Sequence, residues 1–324
     1  MKGRYFLIVL LSFFVLLYSN LSIAQVDYPT KPIQMFVGYA PGGSTDVLIR
    51  TLAQEAKRYL GQEILIINKP GAGGTVSAIS VATSKADGYT LGATPSSTFT
   101  VAPWLLELST DIVKEATPIL SVAKFNVGVF VKSDSPFKNL KGFFEYAKQN
   151  PGKATYGHPG VSTRPHLVME MMAVQEGVKI NFVAFPGDIP TTTAVLGGHL
   201  MAAGCSAAGW ISHVQAGTLR LLAVMEEERM DPFPDVPTIV ELGYPYPLPL
   251  VVFLYGPKGT PEPIMKKLED AFEKASKSST YKKVAVENAL YAKKNMLREE
   301  LAKFLDSEKT KTGDIIKRLG LGKK

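Results

Sequence analysis

The residues best suited to chemistry stand where a predicted strand meets a predicted helix, at residues 39–46, Tyr-Ala-Pro-Gly-Gly-Ser-Thr-Asp. Gly42 and Gly43 allow the backbone to approach a ligand closely, and Ser44 is placed to cap the helix that follows. The free N–H groups of a first helical turn attract anions, together with the helix dipole. This segment therefore predicts a binding loop for a negatively charged group; an ordinary glycine turn with a good cap is the alternative.

A second junction of the same kind occupies residues 156–166, Tyr-Gly-His-Pro-Gly-Val-Ser-Thr-Arg-Pro-His. Thr163 offers a hydroxyl before the helix, while His158 and Arg164 add potential positive charge. His166 is expected to pack under the loop as a structural residue. Because this segment lies in the middle of the chain, we assign it to another domain. Two helix starts that favour anions would then face each other across a cleft.

Several motifs resemble catalytic or cofactor sites but are incomplete. The run Gly71-Ala-Gly-Gly74 lacks the third glycine of a dinucleotide fingerprint, because Val76 stands in its place. The segments around Ser162 and Ser206 lack the last glycine of a hydrolase nucleophile elbow. The single cysteine, Cys205, fits packing better than nucleophilic catalysis. We therefore expect a protein that is not an enzyme and has neither cofactor nor metal site, with a secreted hydrolase as the alternative.

The length and composition of the chain restrict which classes of protein it can belong to. The chain has 324 residues, of which 46% are hydrophobic and 20% charged, and this length suits two domains. One cysteine permits no intramolecular disulfide and no cysteine-rich metal site. The net charge is +7, but the basic residues are interspersed with acids. We therefore expect no nucleic-acid partner.

The first 24 residues have the three-part pattern of a secretory signal. Two basic residues precede an apolar run over residues 6–17, and Ser22-Ile-Ala24 supplies the small residues that a signal peptidase recognises. The apolar run has about half the length that spans a bilayer. We predict a cleavable signal peptide over residues 1–24, a mature chain that begins at Gln25, and a periplasmic location. A retained membrane anchor is the alternative.

Short apolar strands alternate with amphipathic helices along the rest of the chain, which predicts an α/β fold with parallel sheets between helices. A proline-rich stretch over residues 232–249 must be irregular and suits a connection between domains. The predicted strands are 33–39, 64–67, 91–94, 127–131, 155–157, 180–184, 200–203, 219–225 and 250–255. The main predicted helices are 44–60, 139–149, 164–176, 190–197 and 207–216, together with a helical region from residue 261.

With these motifs the sequence resembles the Bug/TctC family, the periplasmic solute-binding proteins of tripartite tricarboxylate transporters. The resemblance covers essentially the whole mature chain. Its motifs lie, in order, at residues 28–33, 41–46, 60–62, 68–74, 87–91, 165–167, 196–198 and 234–238.

The resemblance implies a two-domain flytrap of the type II-like class, each domain a mainly parallel sheet flanked by helices. Domain 1 would comprise residues 25–124 plus 226–324, and domain 2 residues 125–225, with crossing strands near 124–126 and 225–250 as the hinge. The protein would be a monomer that closes over a small carboxylate and delivers it to membrane permease subunits. Presentation of the ligand to a signalling system is the alternative role.

The resemblance also implies ligand contacts at matched positions. Relatives often carry Tyr-Lys-Gly where this chain has Phe-Pro-Gly at 185–187, and an aspartate at the position of Cys205. His158 and Arg164 stand where small residues are usual. The candidate ligand-binding residues are therefore Tyr39, Gly42, Gly43, Ser44, Asp46, Ser97, Thr98, His158, Gly160, Thr163, Arg164, Gly187 and Cys205.

The departure at Cys205 bears on the class of ligand. An ammonium group buried in a closed cleft needs a carboxylate partner, and a thiol does not supply one. This predicts a preference for carboxylic acids without an amino group. Asp188, just after Gly187, could supply the missing acid, so the alternative stays open.

Overall fold

Two five-stranded sheets form the framework of the chain in the computed structural model, which describes residues 27–246, 248–290 and 294–322. The predicted signal peptide lies outside these residues. No helix among them combines the length and apolar character needed to cross a membrane. Numbered along the chain, the strands are β1 (Ile33–Val37), β2 (Ile64–Asn68), β3 (Thr90–Pro95), β4 (Ala116–Lys124), β5 (Val127–Lys132), β6 (Ala154–His158), β7 (Ile180–Ala184), β8 (Ala202–Ser206), β9 (Leu219–Val224) and β10 (Val251–Pro257).

Helices cover both sheets, and most of the long ones begin and end close to the predicted positions. The helices are α1 (Ser44–Leu60), α2 (Thr75–Ala82), α3 (Ser97–Thr100), α4 (Ala102–Leu105), α5 (Ile112–Glu115), α6 (Leu140–Gln149), α7 (Arg164–Glu176), α8 (Asp188–Leu196), α9 (Ala207–Gln215), α10 (Glu262–Ser276), α11 (Ser279–Glu287) and α12 (Arg298–Arg318).

The two sheets have the same arrangement of parallel and antiparallel strands. The strand order is β2-β1-β3-β10-β4 in the first sheet and β7-β6-β8-β5-β9 in the second. In each sheet the fourth strand is antiparallel to both of its neighbours, while the first three are parallel. These are mixed sheets in which four strands share one direction, so the predicted two-domain α/β fold with mainly parallel sheets is confirmed.

Two connections carry the chain between the sheets. The first sheet's β4 ends at Lys124 and the second sheet's β5 begins at Val127; the chain returns between Val224 and Val251. Backbone hydrogen bonds link each crossing to a neighbouring segment, from Phe125 N–H to Leu250 O at 2.7 Å and from Met225 N–H to Val127 O at 2.8 Å. The domain boundaries and the hinge stay predictions, placed at these crossings.

One strand, β4, was absent from the sequence prediction. Its run Ala-Thr-Pro-Ile-Leu-Ser-Val-Ala-Lys contains Pro118, which argues against a strand inside a sheet. In the structure β4 is an edge strand that pairs only with β10 among the strands of its sheet. A proline is tolerated at such an edge because one side of the strand needs no ladder partner.

Candidate ligand-binding cleft

A small cavity lies between the two sheets, beside the connections that join them. The space accessible to the centre of a water-sized molecule is about 20 Å³, which corresponds to roughly one water. In this conformation the cleft is therefore closed, and a ligand larger than water can enter only when its two sides separate. Loops and helix starts on both sides contribute to its lining, which consists of Tyr39, Thr45, Pro95, Ser97, Phe125, Val127, Pro159, Thr163, Arg164, Pro165, Asp188, Ser206 and Leu250.

The first predicted loop begins α1, but Ser44 does not cap this helix. The N-cap is Gly43, and no side chain accepts a capping hydrogen bond there. Instead the hydroxyl of Ser44 donates to Oδ2 of Asp188 at 2.6 Å. The expectation of a Ser44 cap is thus wrong, because the helix begins at Ser44 itself and the N-cap position falls on Gly43, which has no side-chain acceptor.

Asp46 holds the shape of this first loop. Its Oδ2 accepts from the N–H of Gly42 and from Nε of Arg50, both at 2.9 Å, and its Oδ1 accepts from Asn68 at 2.8 Å. Burial alone would raise the pKa of Asp46, but these hydrogen bonds, led by that of Arg50, lower it. The carboxylate is consequently ionised at neutral pH and already bonded within its own domain.

Backbone packs directly on backbone where the two sides of the cleft meet. A Cβ added to Gly160 would stand 3.0 Å from the nitrogen of Gly73, and one added to Gly73 would overlap the carbonyl oxygen of Val161. The carbonyl of Gly73 also accepts from the hydroxyl of Thr98 at 2.8 Å and from that of Tyr39 at 3.1 Å. Glycine is required at both positions because any side chain would hold the two loops apart.

The second predicted loop leads into α7, and its histidines are neutral. The carbonyl of Gly160 accepts from the hydroxyl of Thr163 at 2.7 Å and from Nδ1 of His158 at 2.8 Å. Burial lowers the pKa of His158 to about 4 and that of His166, which stacks against it, to about 3. The expected positive charge of His158 is therefore wrong at neutral pH, and His166 packs beneath the loop.

Arg164 provides the buried cation of the cleft. Its side chain is 1% exposed, and Nη1 lies 2.8 Å from Oε1 of Glu226, which is itself buried. The same oxygen accepts from Val127 N–H at 3.1 Å, and Lys124 lies 3.6 Å from Oε2. Among the residues that the structure describes, Nε of Arg164 has no hydrogen-bond partner. A residue that lines the cavity thus carries a charged donor without a partner.

Asp188 links helix starts that come from both sides of the cleft. Its Oδ2 accepts from the hydroxyl of Ser206 at 2.5 Å, in addition to that of Ser44. Its Oδ1 accepts only a long bond, 3.4 Å, from Ser206 N–H. The two serine hydroxyls also contact each other. The carboxylate therefore lies between the first turns of α1 and α9.

Cys205 lies behind this cluster rather than in the cavity. The side chain is fully buried, with Sγ 3.6 Å from Oγ1 of Thr192. Burial, and next the charge of Asp188, raise the pKa of the Cys205 thiol well above its usual value. A thiol that is buried and protonated does not suit a nucleophile.

The structure brings part of the predicted site to the cavity. Four of the predicted residues line it, namely Tyr39, Ser97, Thr163 and Arg164. Ser44 reaches the lining residue Asp188. The others shape the surrounding loops or pack behind them: Gly42, Gly43, Asp46, Thr98, His158, Gly160, Gly187 and Cys205. Which of them contact ligand stays a prediction.

Sequence reasoning missed Thr45, Ser206 and Glu226. For Ser206 a signal existed, since it stands at the junction of β8 and α9 as Ser44 stands before α1. For Glu226 no local signal existed, because its role depends on Arg164, which lies 62 positions away. No group of three His, Cys, Asp or Glu side chains within the described ranges could hold a metal ion.

Comparisons with known proteins agree with this architecture. The family described as "Tripartite tricarboxylate transporter family receptor", TctC, matches residues 48–321. The "UPF0065 protein in gbd 5'region" of Cupriavidus necator is 38% identical over 301 residues, 93% of this chain and 91% of that protein.

Two solved structures have the same fold. One is a periplasmic transporter with a TM-score of 0.85 and 33% identity, which covers 91% of this chain and 99% of its own. The other is MatC from Rhodopseudomonas palustris with bound malate, with a TM-score of 0.83 and 26% identity over 89% of this chain and 100% of its own. Such proteins bind solutes and are not enzymes. The family match, the identity along nearly the whole chain and the shared two-sheet architecture show that this chain belongs to the TctC family of periplasmic solute-binding proteins.

Proposed function

We propose that this protein captures a small carboxylate in the closed cleft and delivers it to the permease subunits of a tripartite tricarboxylate transporter. The observation that carries the proposal is the buried guanidinium of Arg164, which lines the cavity and whose Nε–H has no hydrogen-bond partner among the described residues. A buried charged donor without an acceptor is unfavourable. A carboxylate in the cleft would supply the acceptor.

The remaining lining suits the same class of ligand. Hydroxyl-bearing side chains, including Thr45, Ser97 and Thr163, line the cavity beside Arg164. Hydrogen bonds to a charged group contribute about 1.5–3 kcal/mol each, so three or four support micromolar affinity after the cost of ordering. The malate bound to MatC is a carboxylate of this kind.

The family supports the proposed location and partners. Its members are periplasmic, and its description names a transporter. We therefore propose that residues 1–24 direct export and are removed, and that the mature protein works as a monomer beside a membrane permease. The ligand contacts that we propose are those of Tyr39, Ser97, Thr163 and Arg164, with Ser44 acting through Asp188.

Binding and closure can be measured together. The mature chain from Gln25 would be titrated calorimetrically with a panel of small mono-, di- and hydroxy-carboxylates, with their methyl esters as uncharged controls. We expect saturable binding of at least one acid, no binding of its ester, and a smaller radius of gyration in small-angle scattering when the acid binds. A chain that is folded but binds no carboxylate would contradict the proposed function.

A further inference from the structure

The second charged group at the cavity is Asp188, and it is an anion. Its carboxylate contacts the hydroxyls of Ser44 and Ser206 and the backbone N–H groups of the same two residues. Among the described residues, no lysine, arginine or histidine forms an ion pair with Asp188. The hydrogen bonds to its two oxygens thus come from neutral donors.

The two carboxylate oxygens of Asp188 accept different numbers of hydrogen bonds. Oδ2 accepts both serine hydroxyls at short distance and the N–H of Ser44 at 3.4 Å. Oδ1 accepts a single long bond from Ser206 N–H, 3.4 Å. Since a carboxylate oxygen has two lone pairs, Oδ1 keeps acceptor capacity.

The positive charge of Arg164, in contrast, has an ion-pair partner. Arg164 is paired with Glu226, and Glu226 is also close to Lys124. Arg164 lines the cavity, and its Nε–H has no hydrogen-bond partner among the described residues. The cavity is therefore lined by a guanidinium that has an ion-pair partner, Arg164, and by a carboxylate that has none among the described residues, Asp188.

We propose that Asp188 is a specificity-determining residue that selects carboxylates carrying a hydrogen-bond donor, best an ammonium group, with the ligand carboxylate directed to Nε–H of Arg164 and the donor to Oδ1 of Asp188. This inference rests on the proposed function. Of the two alternatives that the sequence left open, it adopts the one in which Asp188 is the acid of the cleft.

The expected order of ligands follows from charge. A ligand ammonium gains a carboxylate partner in a site that excludes water, where opposite charges attract strongly. A ligand hydroxyl would form a hydrogen bond with Asp188 but would bring no opposite charge. The second carboxylate of a plain diacid would approach a like charge, which is unfavourable.

Three acids with the same four-carbon skeleton provide the probes. L-aspartate carries an ammonium group, L-malate a hydroxyl, and succinate neither. For the wild-type chain we expect affinity to fall in the order aspartate, malate, succinate, measured by calorimetry at neutral pH and constant ionic strength.

Variants separate charge from structure. In Asp188→Asn the preference for aspartate over succinate should fall by about tenfold or more, because the charge is removed while the shape is kept. Ser44→Ala removes one donor to Asp188 without touching the charge and should keep the order of the three ligands. Asp134→Asn, an exposed acid paired with Lys132, is the matched control and should change nothing.

Each other outcome overturns the inference. Succinate binding as tightly as aspartate to the wild type would remove the role of Asp188 but leave the proposed function intact. If Asp188→Asn reduced the affinity for all three ligands equally, Asp188 would hold the two sides of the cleft together and would not determine specificity. Binding of no carboxylate at all would remove the proposed function, and this inference with it.

Discussion

The helices α1 and α7 both begin at the cleft after glycine-containing loops, yet their first turns have different partners. At α1, the N–H and the hydroxyl of Ser44 contact the protein's own carboxylate at Asp188. At α7, Arg164 lines the cavity and contacts Glu226, and its Nε–H has no partner among the described residues. The same local pattern thus produces an occupied anion site at one helix and an available donor at the other. Neighbours that are distant in sequence decide between these outcomes.

The largest expected effect comes from removing the cation at α7. Arg164→Gln leaves the carboxylate of Glu226, 4% exposed, without its main counter-charge. Breaking a buried ion pair in this way destabilises a protein by about 3–5 kcal/mol, which urea unfolding would measure. The double variant Arg164→Gln/Glu226→Gln removes both charges and should recover most of the stability but not carboxylate affinity. Unchanged stability of Arg164→Gln would show that the two helix starts do not differ as described.

The histidines under the α7 loop should make this side of the cleft sensitive to acid. In the unfolded chain a histidine titrates near 6.5, whereas in the folded chain the pKa is about 4 for His158 and about 3 for His166. As pH falls below about 6.5, only the unfolded chain takes up these protons, so stability decreases until the folded pKa is passed. The slope is up to about 1.4 kcal/mol per pH unit for each histidine.

The variant His166→Phe tests this loss of stability at acidic pH. It removes one titrating group from an apolar contact with Phe182 and should flatten the fall in stability between about pH 6.5 and 3, measured by urea unfolding at several pH values. An unchanged slope in this variant would assign the acid sensitivity to other groups.

Contact between the two loops can be tested at Gly73. A Cβ at this position overlaps the carbonyl of Val161, and φ is +64°, so Gly73→Ala should disfavour closure. The matched control is Gly177→Ala, since Gly177 has the same φ of +64° with nothing within 4 Å of the added Cβ. Both variants should lose about 1 kcal/mol of stability from backbone strain. Only Gly73→Ala should show a larger radius of gyration with ligand present and weaker binding.

The smallest effect is expected at Cys205. The side chain packs against Thr192 and the start of α9 and lies outside the cavity lining. Cys205→Ala should therefore reduce stability by about 1 kcal/mol and leave carboxylate affinity unchanged. A loss of affinity without a loss of stability would place the thiol in contact with ligand.

Local patterns sufficed for much of the fold. Helix α7 and strand β7 begin and end where predicted. An apolar run that is bounded by glycine or proline can be recognised from the local sequence alone. The strand β4 was missed because its proline is acceptable only at an edge, and the position of an edge is a property of the whole sheet.

The site was predicted less completely for the same reason. The loops of Ser44 and Thr163 were found from local spacing, but their hydrogen-bond partners were not. Ser44 is 144 positions from Asp188 and Arg164 is 62 positions from Glu226. A single sequence shows which residues have donors and acceptors, whereas the fold determines which of them meet.

The antiparallel fourth strand comes last in the chain order of the first sheet and first in that of the second, and this difference has a consequence for the order in which the chain folds. All five strands of the second sheet come from one continuous stretch, from β5 to β9. In the first sheet β4 is joined to β3 only through β10, which is made after the second sheet is complete. A chain that emerges N-terminus first can therefore finish its second sheet early, while the core of the first stays open to solvent until Val251–Pro257 arrives. That interval is when the unfinished edge of β3 is most exposed to aggregation.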